Sequence, residues 1–374
     1  MIWAALFWVG LAVVLVSYIG YALWVAWLAW VRRRPVGVEY LPDDRLPAVT
    51  CVMAAADEAA LIERKLRLLF RQDYPREKLS ILVVSDASTD GTDQIVAQWA
   101  ARDDRIRLLR TPRRSGKPTA LNLARAHIRT EIAVFMDVRQ ELTPDAIREL
   151  VAHLADPTVG VVSGDLRVRG DAYWTYEGFL RKCESRSGSM VQVTGSLYAI
   201  RTADAPVIPP DTILDDVYVP LTIALTGRRI VLAERAGSLD VATRSVGYEF
   251  VRKVRTLAGL VQICHSIDGC LNPMQNPVWG RFVLHKLSRL ICPYGLLLTL
   301  AGSLLAAGWP YRMVFGAGVV LVLIAIGGRF GVRSRLSSLS QSLVALNLAA
   351  LWAVPSYYFD RISVTWARVE TDRT

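Results

Sequence analysis

Four short stretches hold the residues able to do chemistry. Asp57-Glu58 follows the apolar run Ala48–Met53, and Asp86 opens Asp86-Ala87-Ser88-Thr89-Asp90-Gly91-Thr92 just after the run Leu79–Val84. Asp137 closes the run Ile132–Met136, and Asp215-Asp216 precedes Val217–Leu225, which reads as a helix. Carboxylates gathered at strand ends repel one another and call for a cation or for a ligand rich in hydroxyl and N–H groups. A carboxylate beside a ligand hydroxyl can also take its proton. Lys117, with Arg113 and Arg114 upstream, supplies positive charge suited to phosphate. Each acidic residue alone has a plainer reading as a helix cap, with Asp57, Asp90 and the Asp215-Asp216 pair well placed for it.

The elements that must position these residues follow a repeating pattern. Short apolar runs at Ala48–Met53, Leu79–Val84, Ile106–Leu109 and Ile132–Met136 alternate with helical spacing over Glu58–Arg71, Asp90–Ala101, Lys117–Ile128 and Pro144–Ala155. The alternation predicts an α/β domain over 47–240 with a parallel sheet. Ligands of such sheets bind at the carboxyl ends of the strands, where the acidic residues stand. Tyr173–Met190 reads as a further helix.

The flanks differ in kind. Of 374 residues 52% are apolar, and the formal charge is +10. Residues 1–31 carry no charged side chain and end in Arg32-Arg33-Arg34, which predicts a transmembrane anchor followed by a linker over 32–46. Apolar runs at 290–309, 311–328 and 339–358 predict three C-terminal membrane segments, with interfacial helices over 241–289 and a tail over 359–374. The basic loop 329–335 and the Arg32–Arg34 cluster both belong on the cytoplasmic side, so the expectation is a multi-pass protein of the cell (inner) membrane, in contact with membrane lipid, with its α/β domain cytoplasmic. Arg361, Arg368 and Arg373 fit poorly with a third crossing, which leaves a re-entrant or interfacial last segment open. The five cysteines form no C-x-x-C pair and the four histidines have no metal-ligand spacing. A nucleic-acid partner is not expected, because no soluble module interleaves basic and aromatic residues.

Five motifs occur in order: V-V-S-D-A-S-T-D-G-T, G-K-P-T-A-L-N (116–122), F-M-D, V-T-G-S-L-Y-A-I-R (193–201) and I-L-D-D-V (213–217). Over roughly 47–260 the sequence resembles the inverting family 2 glycosyltransferases of GT-A fold, a group that includes cellulose, chitin and hyaluronan synthases and bacterial lipid-linked sugar transferases. The resemblance implies a nucleotide-sugar donor, most commonly UDP-linked, with Asp57, Glu58 and Asp86 on base and ribose and Lys117 near the diphosphate. It implies Asp216 as the base that deprotonates the acceptor hydroxyl, with Asp215 beside it, and Thr194, Gly195 and Ser196 as a loop under the acceptor. On the nucleotide side two positions depart from the family pattern: Asp57 stands where Asn is usual, and Ala87 where Gly is usual.

Asp137 matches the first aspartate of the family's D-x-D, whose second aspartate takes a divalent cation, magnesium or manganese. Arg139 holds that second position and cannot ligate a cation. Either its guanidinium helps to neutralise the diphosphate, or the chain is a pseudoenzyme. Arg139 also has the alternative of a salt bridge to a neighbour such as Glu141. Further on, the Q-x-x-R-W of processive synthases is matched by Arg252-Lys253-Val254-Arg255-Thr256. Arg255 is expected near the diphosphate, whereas Thr256 cannot offer the aromatic platform of the missing tryptophan. The expected function is transfer of a sugar to a lipid-linked or nascent glycan acceptor; the alternatives are a polysaccharide synthase and a non-catalytic membrane protein.

Overall fold

A computed structural model describes residues 1–169, 172–241, 246–330 and 334–359. The chain forms two compact units. One comprises Met1–Trp24, Arg244–His265 and Gly280–Ile362; the other is built mainly from Val25–Thr243, with Ser266–Trp279.

The larger unit holds eight strands: β1 Val49–Ala55, β2 Leu79–Ser85, β3 Ile106–Arg110, β4 Ile132–Met136, β5 Glu141–Leu142, β6 Val159–Arg169, β7 Leu197–Arg201 and β8 Arg229–Val241. They form one sheet in the order β3-β2-β1-β4-β7-β6-β8-β5. Its helices are α1 Ala59–Leu69, α2 Thr92–Ala100, α3 Lys117–Arg125, α4 Ala146–Leu154, α5 Ala172–Arg186 and α6 Asp215–Ala224. Every residue of β1 and of β4 is buried, as expected of central strands covered on both faces.

The expectation of a parallel sheet holds for β3-β2-β1-β4 and for the β6–β8 pair, and fails at β7 and β5, which pair antiparallel. Strand β7 inserts antiparallel between β4 and β6, with Leu197 opposite Met136. A run of five residues cannot announce its direction by periodicity alone, because the alternation of side chains is the same either way. The consequence for function is direct. β1, β2 and β4 end at one rim of the sheet, and antiparallel β7 begins there, so Thr194-Gly195-Ser196 arrives at the same rim as Asp57, Asp86 and Asp137.

The other unit is helical. Four helices are long and apolar enough to cross a membrane: Ile2–Val31, Trp279–Leu305, Trp309–Gly328 and Leu339–Phe359, the make-up of a membrane protein. The second begins at Trp279, well before residue 290, and passes through a π-helical turn at Phe282–Leu287. The first helix lies tightly against Ser288–Leu305. A Cβ on Gly10 would lie 2.5 Å from the Gly295 carbonyl oxygen, and one on Gly302 would lie 2.7 Å from the Phe7 nitrogen. Only glycine allows backbones this close, the usual device of helix pairs in lipid. Arg255 sits on the helix Val246–Ser266 of this unit. Residues 331–333 of the basic loop, and Arg361, Arg368 and Arg373 of the tail, lie outside the described residues.

Candidate active site

The first strand end is built around two residues in the left-handed region. Asp57 has φ +58° and Ala87 φ +51°. These are the two departures from the family pattern noted above, and the backbone explains the usual residues, since Asn and Gly tolerate positive φ best. Asp57 is held in place by its own carboxylate. Oδ1 accepts the Thr89 N–H at 2.7 Å, and Oδ2 accepts from Arg114 Nη2 at 2.5 Å. Arg114 thus pairs with Asp57 at the ends of β1 and β2. Glu58 caps α1, its N–H donating to Thr92 Oγ1 at 2.9 Å. Asp90 ties the two loops together: it accepts the Ala59 N–H at 2.9 Å and the Thr92 hydroxyl at 2.6 Å. Burial opposes its charge, but these hydrogen bonds outweigh it and hold the carboxyl below its ordinary value.

Asp86 is fully buried. Its carboxylate accepts the Ser115 and Gly116 N–H groups and the Thr111 hydroxyl, each at 2.8 Å. It therefore fixes the loop that delivers Lys117 to the start of α3.

Lys117 is the centre of the rim. Its Nζ lies 3.0 Å from Asp137 Oδ1 and 3.3 Å from Asp215 Oδ2. Burial alone would depress the ammonium, but Asp137 and then Asp215 more than offset that and keep it protonated well above the ordinary lysine value. Asp215 is 9% exposed and Asp216 half-buried. The Asp216 carbonyl accepts the Val193 N–H at 3.1 Å, which locks the start of α6 to the loop before β7. Gly195 fits between them: a Cβ there would stand 3.5 Å from Lys117 Nζ and 3.6 Å from Asp216 Cβ.

The other two residues of that loop turn inward. Thr194 is 5% exposed, and its hydroxyl donates to the Gly164 carbonyl at 3.3 Å. Ser196 is 4% exposed and its Oγ is buried without a hydrogen bond. In the loop expected under the acceptor, then, both flanking hydroxyls turn inward and the Gly195 backbone is what remains between Lys117 and Asp216. Tyr198, one turn of strand further, is buried and stacks on Phe135 with ring centroids 5.0 Å apart. Burial, then Asp215, pushes its hydroxyl well above the ordinary tyrosine value, so it stays neutral.

Arg139 does not do what its position implies. Its Nη2 donates to Asp240 Oδ2 at 2.5 Å, and the same oxygen accepts from Gln140 Nε2 at 2.9 Å. Asp240, 5% exposed, lies at the end of β8, beside the short β5–β8 pairing. The partner named as an alternative, Glu141, is instead paired with Arg64. A buried carboxylate is a stronger claim on a guanidinium than a solvated one, which is why Arg139 closes on Asp240.

The same residues test the expected metal. Asp137 already carries an ammonium at 3.0 Å, Arg139 cannot ligate, and no group of three or more His, Cys, Asp or Glu side chains among the described residues forms a cation clasp. These side chains do not form a closed cation site by themselves, and Asp137 is the one carboxylate of the matched D-x-D.

Residues 50–198 match the model of glycosyl transferase family 2. A beta-monoglucosyldiacylglycerol synthase of Synechocystis is 29% identical over 133 residues, covering 34% of this chain and 28% of that protein. A poly-beta-1,6-N-acetyl-D-glucosamine synthase of Staphylococcus aureus is 22% identical over 230 residues, covering 58% of this chain and 55% of that protein. The chain therefore spans about half, or less, of the length of these curated relatives. A mannosyltransferase of Pyrobaculum calidifontis, solved in complex with GDP-Man and Mn2+, aligns at a TM-score of 0.75 and 26% identity, covering 96% of this chain and 100% of that one. Strand-end carboxylates, the lysine between them and these likenesses lead to one conclusion: the α/β unit is a glycosyl transferase family 2 domain of GT-A fold.

Proposed function

We propose that the chain is a membrane-bound inverting glycosyltransferase that moves a sugar from a nucleotide-sugar donor to a lipid-linked or nascent glycan acceptor. The observation that carries this is the Lys117 bridge, which joins the end of β4 to the start of α6 through Asp137 and Asp215. A diphosphate at this ammonium places the sugar's anomeric carbon over Gly195, in front of the acidic pair. The acceptor hydroxyl attacks that carbon opposite the diphosphate, the C–O bond to phosphate breaks, and the hydroxyl proton passes to Asp216. Asp215 is committed to Lys117, so the half-buried Asp216 is the base. Lys117 stabilises the leaving diphosphate as a fixed, preorganised charge, with no step routed through a metal. Base and ribose are assigned to Asp57 and Glu58, while the buried Asp86, expected beside them, instead holds the Ser115-Gly116 backbone; a uridine nucleotide is the donor to test first.

Transfer of single sugars is favoured over chain extension. Thr256 is exposed and its hydroxyl donates to the Arg252 carbonyl of its own helix at 2.9 Å, so the position offers no stacking surface. The basic Arg32–Arg34 cluster supports a cytoplasmic position for the domain under the positive-inside rule. The test is transfer from labelled nucleotide sugars by detergent-solubilised protein, read by product size. Asp216→Asn should retain nucleotide binding and lose about 10²-fold or more in kcat. Near-normal turnover by that variant removes Asp216 from its role, and long products overturn the single-transfer reading.

A further inference from the structure

Lys65 is the least expected charge in the domain. It lies on α1 among Ile62, Leu66 and Leu69, each 0% exposed, and is itself 1% exposed. Its ammonium makes one hydrogen bond, to the Gln140 carbonyl at 2.8 Å. The charged and titratable groups around it are Asp137 at the end of β4, Cys51 on β1 and Arg64 on its own helix. None is a carboxylate at ion-pair distance. An ammonium buried with a single neutral acceptor is costly, and an apolar side chain of equal length would serve the packing better. Holding one carbonyl does not require a charge. What the charge faces is the turn Asp137–Gln140, the segment that carries the donor-side carboxylate on one side and, through Asp137, the Lys117 ammonium on the other.

We propose that Lys65 is a positioning residue for the donor diphosphate: anchored on the Gln140 carbonyl, it fixes the turn bearing Asp137 and sets a second positive charge on the buried side of that turn. This rests on the glycosyltransferase reading above. Lys117 pairs with Asp137 from one side and the Lys65 ammonium adds a longer-range attraction from the buried side of the turn, so less of the Asp137 charge opposes an incoming diphosphate. Burial lowers the Lys65 ammonium to about 8, with Asp137 opposing the fall. A bound diphosphate raises it again, so donor binding above pH ~8 takes up a proton.

The experiment compares wild type, Lys65→Met and Lys65→Arg for transfer kinetics, nucleotide affinity and thermal stability across about pH 7 to 10. Lys65→Met should fold and be at least as stable as wild type at pH 7, yet lose on the order of tenfold or more in kcat/KM for the donor. Lys65→Arg should recover part of that loss. Wild type, whose buried lysine sheds its proton before the unfolded chain does, should gain stability from about pH 8 to 10 relative to Lys65→Met. In wild type the donor KM should rise above about pH 8, a rise that Lys65→Met lacks. Lys65→Met that matches wild-type kinetics overturns the proposal, and so does Lys65→Met that loses fold and activity together, since both assign the residue to packing. Absence of transfer and of nucleotide binding by wild type itself would instead overturn the glycosyltransferase reading.

Discussion

Replacing Lys117 by methionine removes the charge that lies between two carboxylates. The ammonium nitrogen is 3.0 Å from Asp137 Oδ1 and 3.3 Å from Asp215 Oδ2, so those oxygens are no farther apart than the sum, roughly 6.3 Å. At an effective dielectric constant of about 20, each contact supplies roughly 5 kcal/mol of attraction, and without the ammonium a repulsion of at least about 2.6 kcal/mol between the two carboxylates is left unopposed. Solvent screening and relaxation reduce these figures, so Lys117→Met should cost about 2 kcal/mol or more in denaturant unfolding, and Asp215→Asn in the same chain should restore part of it. The diphosphate also loses its cation, so kcat/KM for the donor should fall by about 10²-fold or more. Initial rates on solubilised protein, with nucleotide affinity and unfolding measured separately, separate the two effects. A Lys117→Met protein as stable as wild type would refute the coupling of Asp137 and Asp215 through Lys117.

Three further outcomes follow from the same geometry. Wild type should keep turning over in a strong chelator, because its fixed cation is an ammonium; complete loss restored by magnesium would refute this. Arg139→Met should leave Asp240 buried without its guanidinium and cost about 3 kcal/mol in denaturant unfolding, with Asp240→Asn in the same chain restoring most of it and nucleotide affinity nearly unchanged. A large loss of nucleotide affinity in Arg139→Met would return Arg139 to the diphosphate. Ala87→Gly should relieve the left-handed strain at φ +51° and stabilise the protein by about 1 kcal/mol, visible as a Tm higher by a few degrees; an unchanged or lower Tm would show that the loop gains nothing from glycine.

Much of the site was legible because acidic residues at the ends of apolar runs announce themselves. Asp57, Asp86 and Asp137 follow β1, β2 and β4 as their spacing requires, and Lys117 opens a helix where its motif places it. What the sequence hid was pairing across distance. Asp240 stands 101 residues from Arg139, with no local pattern to join them. Lys65 belongs to no motif, and only its place three residues after Ile62 and four before Leu69 sets it on the buried face. The direction of β7 was equally hidden, since it depends on what the strand finds beside it.

The glycine seam between the first helix and Ser288–Leu305 sets an order of events during synthesis. Gly10 leaves the ribosome about 290 residues before the segment around Gly295 and Thr299 that it must abut, an interval of roughly 15 to 60 s at usual elongation rates. Throughout that interval the first helix, once inserted in a bilayer, would wait with a shallow notch along one side, and the α/β domain is made and can fold in the meantime. Hydropathy alone would let any apolar helix of that length take the first place. Shape does not, because a methyl group at Gly10 already collides with the partner's backbone. The first helix is thus a tether early in the chain's life and half of a lock at its end.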